Sequence, residues 1–276
     1  MQNLEKYFDL TGRVAIITGG TGLLGQQHAE AVAHAGGIPV LADIRVNMID
    51  THSPDWKTRF GEKACAIQTD ITDPGSVKNL LQQVLAEFGR IDILINNAAN
   101  NPKMENKVDV EFSRMEYFPL EQWDADLNVG LKGAFLCSQI IGAEMARRKQ
   151  GVIVNVASDL AVIAPDQRLY RKPGLSEDQQ PVKPVTYSVV KTGLIGLTRY
   201  LATYWADCGI RVNAISPGGV YNNQPEDFVQ RLTGLIPLGR MANSNEYQAA
   251  ILFLCSDASS YMTGTNLVID GGRSCW

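Results

Sequence analysis

Residues 14–43 read VAIITGGTGLLGQQHAEAVAHAGGIPVLAD. An apolar run (14–18) leads into a glycine-rich turn. A helical pattern fills about 22–35 and stops at Gly36-Gly37, where a helix C-terminus favours glycine. A second apolar run (38–42) ends at Asp43. Neither run alternates apolar with polar, so both strands are expected to be covered by helices on both faces. Strand, helix and strand in so short a span predict a right-handed crossover between parallel strands.

The same texture continues along the chain. ACAIQ (64–68), IDILI (91–95), GVIVNV (151–156), IRVNAI (210–215) and NLVID (266–270) read as further strands. Helical patterns lie at about 74–88, 121–149, 187–208 and 244–255, and Gly89 follows the first of these as a C-cap should. There is no internal repeat, low-complexity tract or linker. The expectation is an α/β fold: one domain over 1–276, a Rossmann-type doubly wound parallel sheet of about seven strands with helices on both faces.

The chain has 276 residues, 45% hydrophobic and 20% charged, with a net charge of −4. That balance gives no basic footprint for nucleic acid. No apolar run approaches the ~20 residues of a membrane span, and the N-terminal stretch lacks a signal-peptide pattern. The expected location is cytoplasmic. The five cysteines show no CxxC pair and read as reduced thiols. The histidines, His28, His34 and His52, lack helical metal-pair spacing, so no metal is expected.

The turn T18-G-G-T-G-L-L-G25 follows the first strand and opens a helix. Glycines there let a pyrophosphate approach the backbone, and the helix N-terminus offers unpaired N–H groups and partial positive charge. Gly19, Thr21, Gly22, Leu23, Leu24 and Gly25 are therefore candidates for dinucleotide binding. Asp43 and Ile44 follow the second strand. A carboxylate at 43 can bind both ribose hydroxyls of NAD and repel a 2′-phosphate, which favours NAD(H) over NADP(H); Arg45 could weaken that preference.

Tyr187 and Lys191 occur as T-Y-S-V-V-K, at i and i+4, and share a helix face. A tyrosine titrates near ~10, and an adjacent ammonium favours its phenolate. Ser158 ends the fifth strand at the carboxyl edge, where open α/β sheets bind ligands. It is not in a G-x-S-x-G elbow and no histidine follows position 52, which argues against a hydrolase triad.

Together, TGGTGLLG, Asp70 in TDITD, NNAA at 96–99, Asn128 in LNVG, VNVAS ending at Ser158, YSVVK, SPGG at 216–219 and IDGG at 269–272 resemble the short-chain dehydrogenase/reductase family over nearly the whole chain. The resemblance implies that Tyr187 is the acid/base and that Lys191 lowers its pKa and holds the nicotinamide ribose. Ser158 would orient the substrate carbonyl, and Asn128 would support a proton relay through water. Asp70 and Ile71 would contact adenine. Asn97, Ala98 and Ala99 would line the cofactor, and Pro217, Gly218, Gly219, Val220 and Asn222 the nicotinamide end. The glycine turn, TGxxGxxG, departs from the TGxxxGxG of the common subgroup because Leu23 stands where glycine is usual. NNAA replaces NNAG, and Asn222 stands where a threonine is frequent. The other motifs are those of the common subgroup. A finer resemblance links the chain to dehydrogenases of flagellin modification and nonulosonic-sugar pathways.

Ser158 and Tyr187 are separated by much more chain than in the common subgroup. The intervening stretch PDQRLYRKPGLSEDQQPVKPV (165–185) is proline-studded and basic. It predicts an inserted active-site loop at about 159–186, either a lid with Arg168, Tyr170 and Arg171 as substrate contacts or a solvated excursion or oligomer contact; a second substrate-side segment is expected at about 221–243. The expected activity is NAD(H)-dependent interconversion of a secondary alcohol and a ketone on a sugar or other small polyhydroxylated substrate, which can be anionic. Two alternatives remain: a nucleotide-sugar dehydratase or epimerase that retains NAD, and a catalytically silent NAD-binding regulator. Small residues on the helices at 121–149 and 187–208, with the family's habit of pairing there, predict a homodimer or homotetramer.

Overall fold

The computed structural model describes residues 4–46, 50–100 and 113–276. Seven strands form one sheet: β1 (Val14–Thr18), β2 (Ile38–Asp43), β3 (Cys65–Gln68), β4 (Ile93–Asn96), β5 (Gly151–Val156), β6 (Ile210–Pro217) and β7 (Asn266–Ile269). Their order is β3-β2-β1-β4-β5-β6-β7, and every pairing is parallel. The strand order reverses direction between β1 and β4, which opens a crevice beyond their carboxyl ends.

The continuous apolar runs are explained by two cores. Ala15, Ile17, Leu41, Ile93, Ile95, Val154 and Ile215 point to one side. Val14, Ile16, Val40, Leu94, Ile153 and Val212 point to the other. Alternate residues of each strand thus serve opposite layers, and both must be apolar.

The helices are α1 (Leu23–His34), α2 (Pro54–Phe60), α3 (Pro74–Phe88), α4 (Leu120–Leu127), α5 (Gly133–Arg148), α6 (Val185–Tyr204), α7 (Glu226–Thr233) and α8 (Gln248–Cys255). The continuous helix expected over 121–149 is instead two helices joined by a π turn, Asn128–Lys132. The extra residue of a π turn rotates everything after it, and such turns concentrate at functional sites. The sequence patterns do not predict α2 and α7. α2 is too short for a clear periodicity, although Ser53 caps it by accepting from Trp56 N at 3.2 Å and Pro54 opens it. Gly89 ends α3 in the left-handed region, as expected. Among the described residues no helix is long and apolar enough to cross a membrane.

Candidate active site

A cleft of about 820 Å³ lies along the carboxyl edge of the sheet. One end is built by the first crossover. β1 delivers the chain into the glycine turn, and a Cβ at Gly25 would overlap the carbonyl oxygen of Gly19. Only glycine lets α1 start so close to the turn. Gly22 caps α1 without a side-chain hydrogen bond, so the N-terminal amides of the helix have no competing side-chain acceptor there. Asn97 holds this turn from the neighbouring strand: its amide donates to Thr18 O at 3.0 Å and Gly19 O at 3.1 Å.

Gly19, Gly22, Leu23, Leu24, Asp43, Ile44, Asp70, Ile71, Asn97, Ala98 and Ala99 all line the cleft. Thr21 and Gly25 lie behind it. Thr21 presents its backbone N–H and Oγ1 to Asp43 Oδ2, at 3.2 and 2.7 Å. The other oxygen of Asp43 accepts from Arg45 N at 3.1 Å. The carboxylate is therefore fixed in place while keeping lone pairs for a ligand's hydroxyls. Asp70 accepts from Thr72 N and Oγ1, at 2.8 and 2.7 Å. A dinucleotide fits this end: a glycine floor that any side chain would fill, a helix N-terminus for its diphosphate and a fixed carboxylate for a ribose.

The other end gathers the titratable groups. Ser158 follows β5 and is buried. Its Oγ donates to Asp159 Oδ1 at 2.8 Å and accepts from Leu160 N at 3.2 Å. Tyr187 and Lys191 come from the first turns of α6, and all three residues line the cleft. Lys191 donates to Val156 O at 2.7 Å and lies 5.8 Å from the centre of the Tyr187 ring. Lys183 sits over the same ring at 3.9 Å. Burial, reinforced by Lys183, pulls the Lys191 ammonium down to about 8. Burial pushes the Tyr187 hydroxyl above its usual value; a hydrogen bond with Ser158 lowers it and the Asp159 carboxylate raises it further. Asn128 opens the π turn and is not in the cleft lining; the next residue, Val129, is. Pro217 at the end of β6, then Gly218, Gly219, Val220 and Asn222, continue the wall, and Gly218 N donates to Ile269 O at 2.9 Å.

The long segment between Ser158 and α6 is docked against the body of the protein. Leu169 is buried with Phe228 and Leu232 of α7, Ile236 and Met241. Tyr170 packs against Phe228 with ring centres 5.7 Å apart and the rings tilted by 44°, and Arg231 donates to Leu169 O at 3.2 Å. Tyr170 lines the cleft, but Arg168 and Arg171 do not. Neighbouring acids capture both: Arg168 pairs with Asp166 at 2.7 Å and Arg171 with Glu177 at 2.8 Å, out in solvent. Among the described residues, the cations at the substrate end besides Lys191 are Lys183 and Arg273. Arg273 forms a buried ion pair with Asp159 at 2.7 Å. Sequence reasoning assigned no role to Asp159 or Arg273, and no local pattern links positions so far apart.

A family model described as "short chain dehydrogenase" matches residues 13–170, and one described as "Enoyl-(Acyl carrier protein) reductase" matches 176–274. The chain belongs to the short-chain dehydrogenase/reductase family. It is 34% identical to an NAD-dependent glycerol dehydrogenase of Listeria innocua, over 98% of this chain and 97% of that one. It is 33% identical to a D-threitol dehydrogenase of Mycolicibacterium smegmatis, with the same coverage. A crystal structure of a gluconate 5-dehydrogenase from Burkholderia cenocepacia, in complex with NADP and tartrate, superposes with a TM-score of 0.84 at 26% identity, over 99% of both chains. Those names do not extend to flagellin modification or nonulosonic sugars. As a member of this family the protein is an NAD(P)-dependent oxidoreductase acting between alcohol and ketone.

Proposed function

We propose that this protein interconverts a secondary hydroxyl and a ketone on a small polyhydroxylated substrate, with NAD(H) preferred. The observation that carries this reading is the convergence of Tyr187, Lys191 and Ser158 in the same cleft as the glycine floor and Asp43. The dinucleotide, when bound, supplies or takes the hydride. Tyr187 Oη gives or takes the hydroxyl proton. Lys191 favours the phenolate, since a neighbouring ammonium stabilises it. Ser158 holds the reacting oxygen. Asn128 is read as an outer support of that proton path. The polar groups of the substrate end (Lys183, Arg273, Asp159 and Gln224) suit hydroxyls or a carboxylate, while Tyr170, Phe228 and Met241 close its apolar side. The glycerol, threitol and gluconate named in the relatives have this chemistry.

A panel of polyols, sugar acids and sugar phosphates tests this by NADH formation. Turnover on at least one polyol or sugar acid is expected. Inactivity on the whole panel despite tight NADH binding would favour a silent regulator, and stoichiometric NAD retained through purification would favour a dehydratase or epimerase.

Asp43 supports the NAD preference, because a 2′-phosphate would bring like charge against a buried, fixed carboxylate. Asp43→Asn keeps the shape and removes the charge. It is expected to relax discrimination against NADPH by about tenfold or more, the scale of one repulsive contact. Fluorescence titration with NADH and NADPH reads this directly. Tighter NADPH binding by the parent protein would transfer the decisive role to Arg45, which also lines the cleft.

Phe135 on α5 and Val189, Tyr200 and Tyr204 on α6 are exposed. That supports self-association through this helical face into a dimer or tetramer. Light scattering reads the mass, and a monomer would remove this part of the reading.

A further inference from the structure

We propose that Asp159 and Arg273 form a positioning pair for proton transfer: Asp159 holds the Ser158 hydroxyl through Oδ1, and Arg273 neutralises the same carboxylate through Oδ2, so that Tyr187 faces no uncompensated negative charge. The inference rests on the reading of Tyr187 as proton donor and acceptor.

The geometry is built from two distant parts of the chain. Asp159 is the residue after Ser158; its Oδ1 accepts from Ser158 Oγ and from Leu160 N, each at 2.8 Å. Its Oδ2 accepts from Arg273 at 2.7 Å. Both residues line the cleft, yet only 3% of Asp159 and 8% of Arg273 is exposed. Arg273 is aimed inward by the Asp270-Gly271-Gly272 turn. Asp270 accepts from Gly272 N at 2.9 Å and from Ser274 N at 2.8 Å. Gly271 has φ +68, and a Cβ there would come within 2.7 Å of Ile236. The turn thus tolerates little but glycine.

A buried ion pair is a poor device for stability, because desolvation consumes most of the attraction. Its location suggests a different purpose. Ser158 has one proton and more than one acceptor for it: Asp159 Oδ1 and the Tyr187 oxygen. With the proton on Asp159, Ser158 offers lone pairs to a substrate hydroxyl. With the proton turned away, it can donate to a carbonyl or to the phenolate. Arg273, by drawing charge to Oδ2, weakens the competing acceptor.

The charges facing Tyr187 come from several elements. Lys183 precedes α6 and Lys191 lies one turn along it. Asp126 of α4 binds Thr186, the neighbouring residue, at 2.5 Å. Asp159 follows β5, and its carboxylate works against ionisation of Tyr187. Arg273 is the cation paired with that carboxylate.

The test is a titration of the full chain carrying tyrosine labelled with ¹³C at Cζ. The Tyr187 resonance is assigned by its loss in Tyr187→Phe. Arg273→Met is expected to raise the Tyr187 titration by about one pH unit and Asp159→Asn to lower it by a similar amount, the usual effect of one nearby charge. The double variant is expected to return near the parent, and Arg273→Lys to stay close to it. Unshifted titration in Asp159→Asn and Arg273→Met, a double variant that matches Arg273→Met alone, or an Arg273→Lys that shifts as far as Arg273→Met would overturn the pair. If Arg273→Met does not fold, Asp159→Asn and Arg273→Lys decide the question in the same way. Turnover that survives Tyr187→Phe would instead overturn the acid–base reading itself.

Discussion

Replacing Tyr187 with phenylalanine is expected to lower turnover by about 10²–10⁴-fold, the usual contribution of a positioned acid or base, while NADH affinity stays nearly unchanged. The substitution removes one oxygen. The ring remains, with Lys183 packed over its face at 3.9 Å. The expected size follows from what the site does to two charges. In the free protein, burial disfavours both the Tyr187 phenolate and the Lys191 ammonium. Each charge supplies what the other lacks, so the phenolate left when Tyr187 gives up its proton is stabilised where the ammonium is retained. Oxidation needs the phenolate and reduction needs the phenol. The rate of alcohol oxidation is therefore expected to rise with pH and that of ketone reduction to fall through the same range. Phenylalanine can do neither, so both limbs should vanish together. Steady-state kinetics and NADH fluorescence titration on the same preparation separate the two effects. A loss under about tenfold would assign the proton transfer to another group.

What the sequence made legible depended on the range of the interaction. Strands β1 to β7 were readable because burial on both faces demands apolar residues at consecutive positions, as in VAIIT and GVIVNV. The glycine turn and the Tyr187–Lys191 pair were readable because their geometry is local. The break at Asn128 was not: NVGLK carries no proline, and its glycine, Gly130, marks close packing against Val190 rather than a π turn, which packing settles. α7 was missed because its eight residues are strongly polar on one side and bury only Phe228 and Leu232. The basic stretch after Ser158 promised a clamp at Arg168 and Arg171. Acids two and six residues away took those guanidinium groups outward. Composition revealed the charges, but only the folded chain shows that Lys183 and Arg273 face the cleft.

Acidification is expected to destabilise the protein well before its carboxylates titrate, and His28 is the expected cause. It lies in α1, fully buried, and among the described residues neither ring nitrogen has a hydrogen-bond partner. Burial alone pulls its pKa down to about 3. In the unfolded chain the imidazole titrates near ~6.5. Between those values the unfolded state binds a proton that the native state refuses, so stability falls as pH falls. Glu144 and Glu246 are held at about 2 by their arginine partners, Arg147 and Arg240. Their contribution is present at neutral pH and is lost only below the ordinary glutamate range, near ~4.3. The window from about pH 6.5 to about pH 4.5 therefore belongs mainly to His28. At about 1.4 kcal/mol per unit, the loss across it is roughly 2–3 kcal/mol, a substantial part of the ~5–15 kcal/mol that holds a typical domain folded. His28→Leu removes the titrating ring and its two unpaired nitrogens while keeping an apolar side chain on a helix that favours leucine. Urea unfolding at both ends of the window should show a marked drop in midpoint for the parent and a nearly flat response for His28→Leu. An equal drop in both proteins, or a His28 imidazole that titrates near 6.5 by NMR in the folded parent, would show that the buried ring is not the acid-sensitive group.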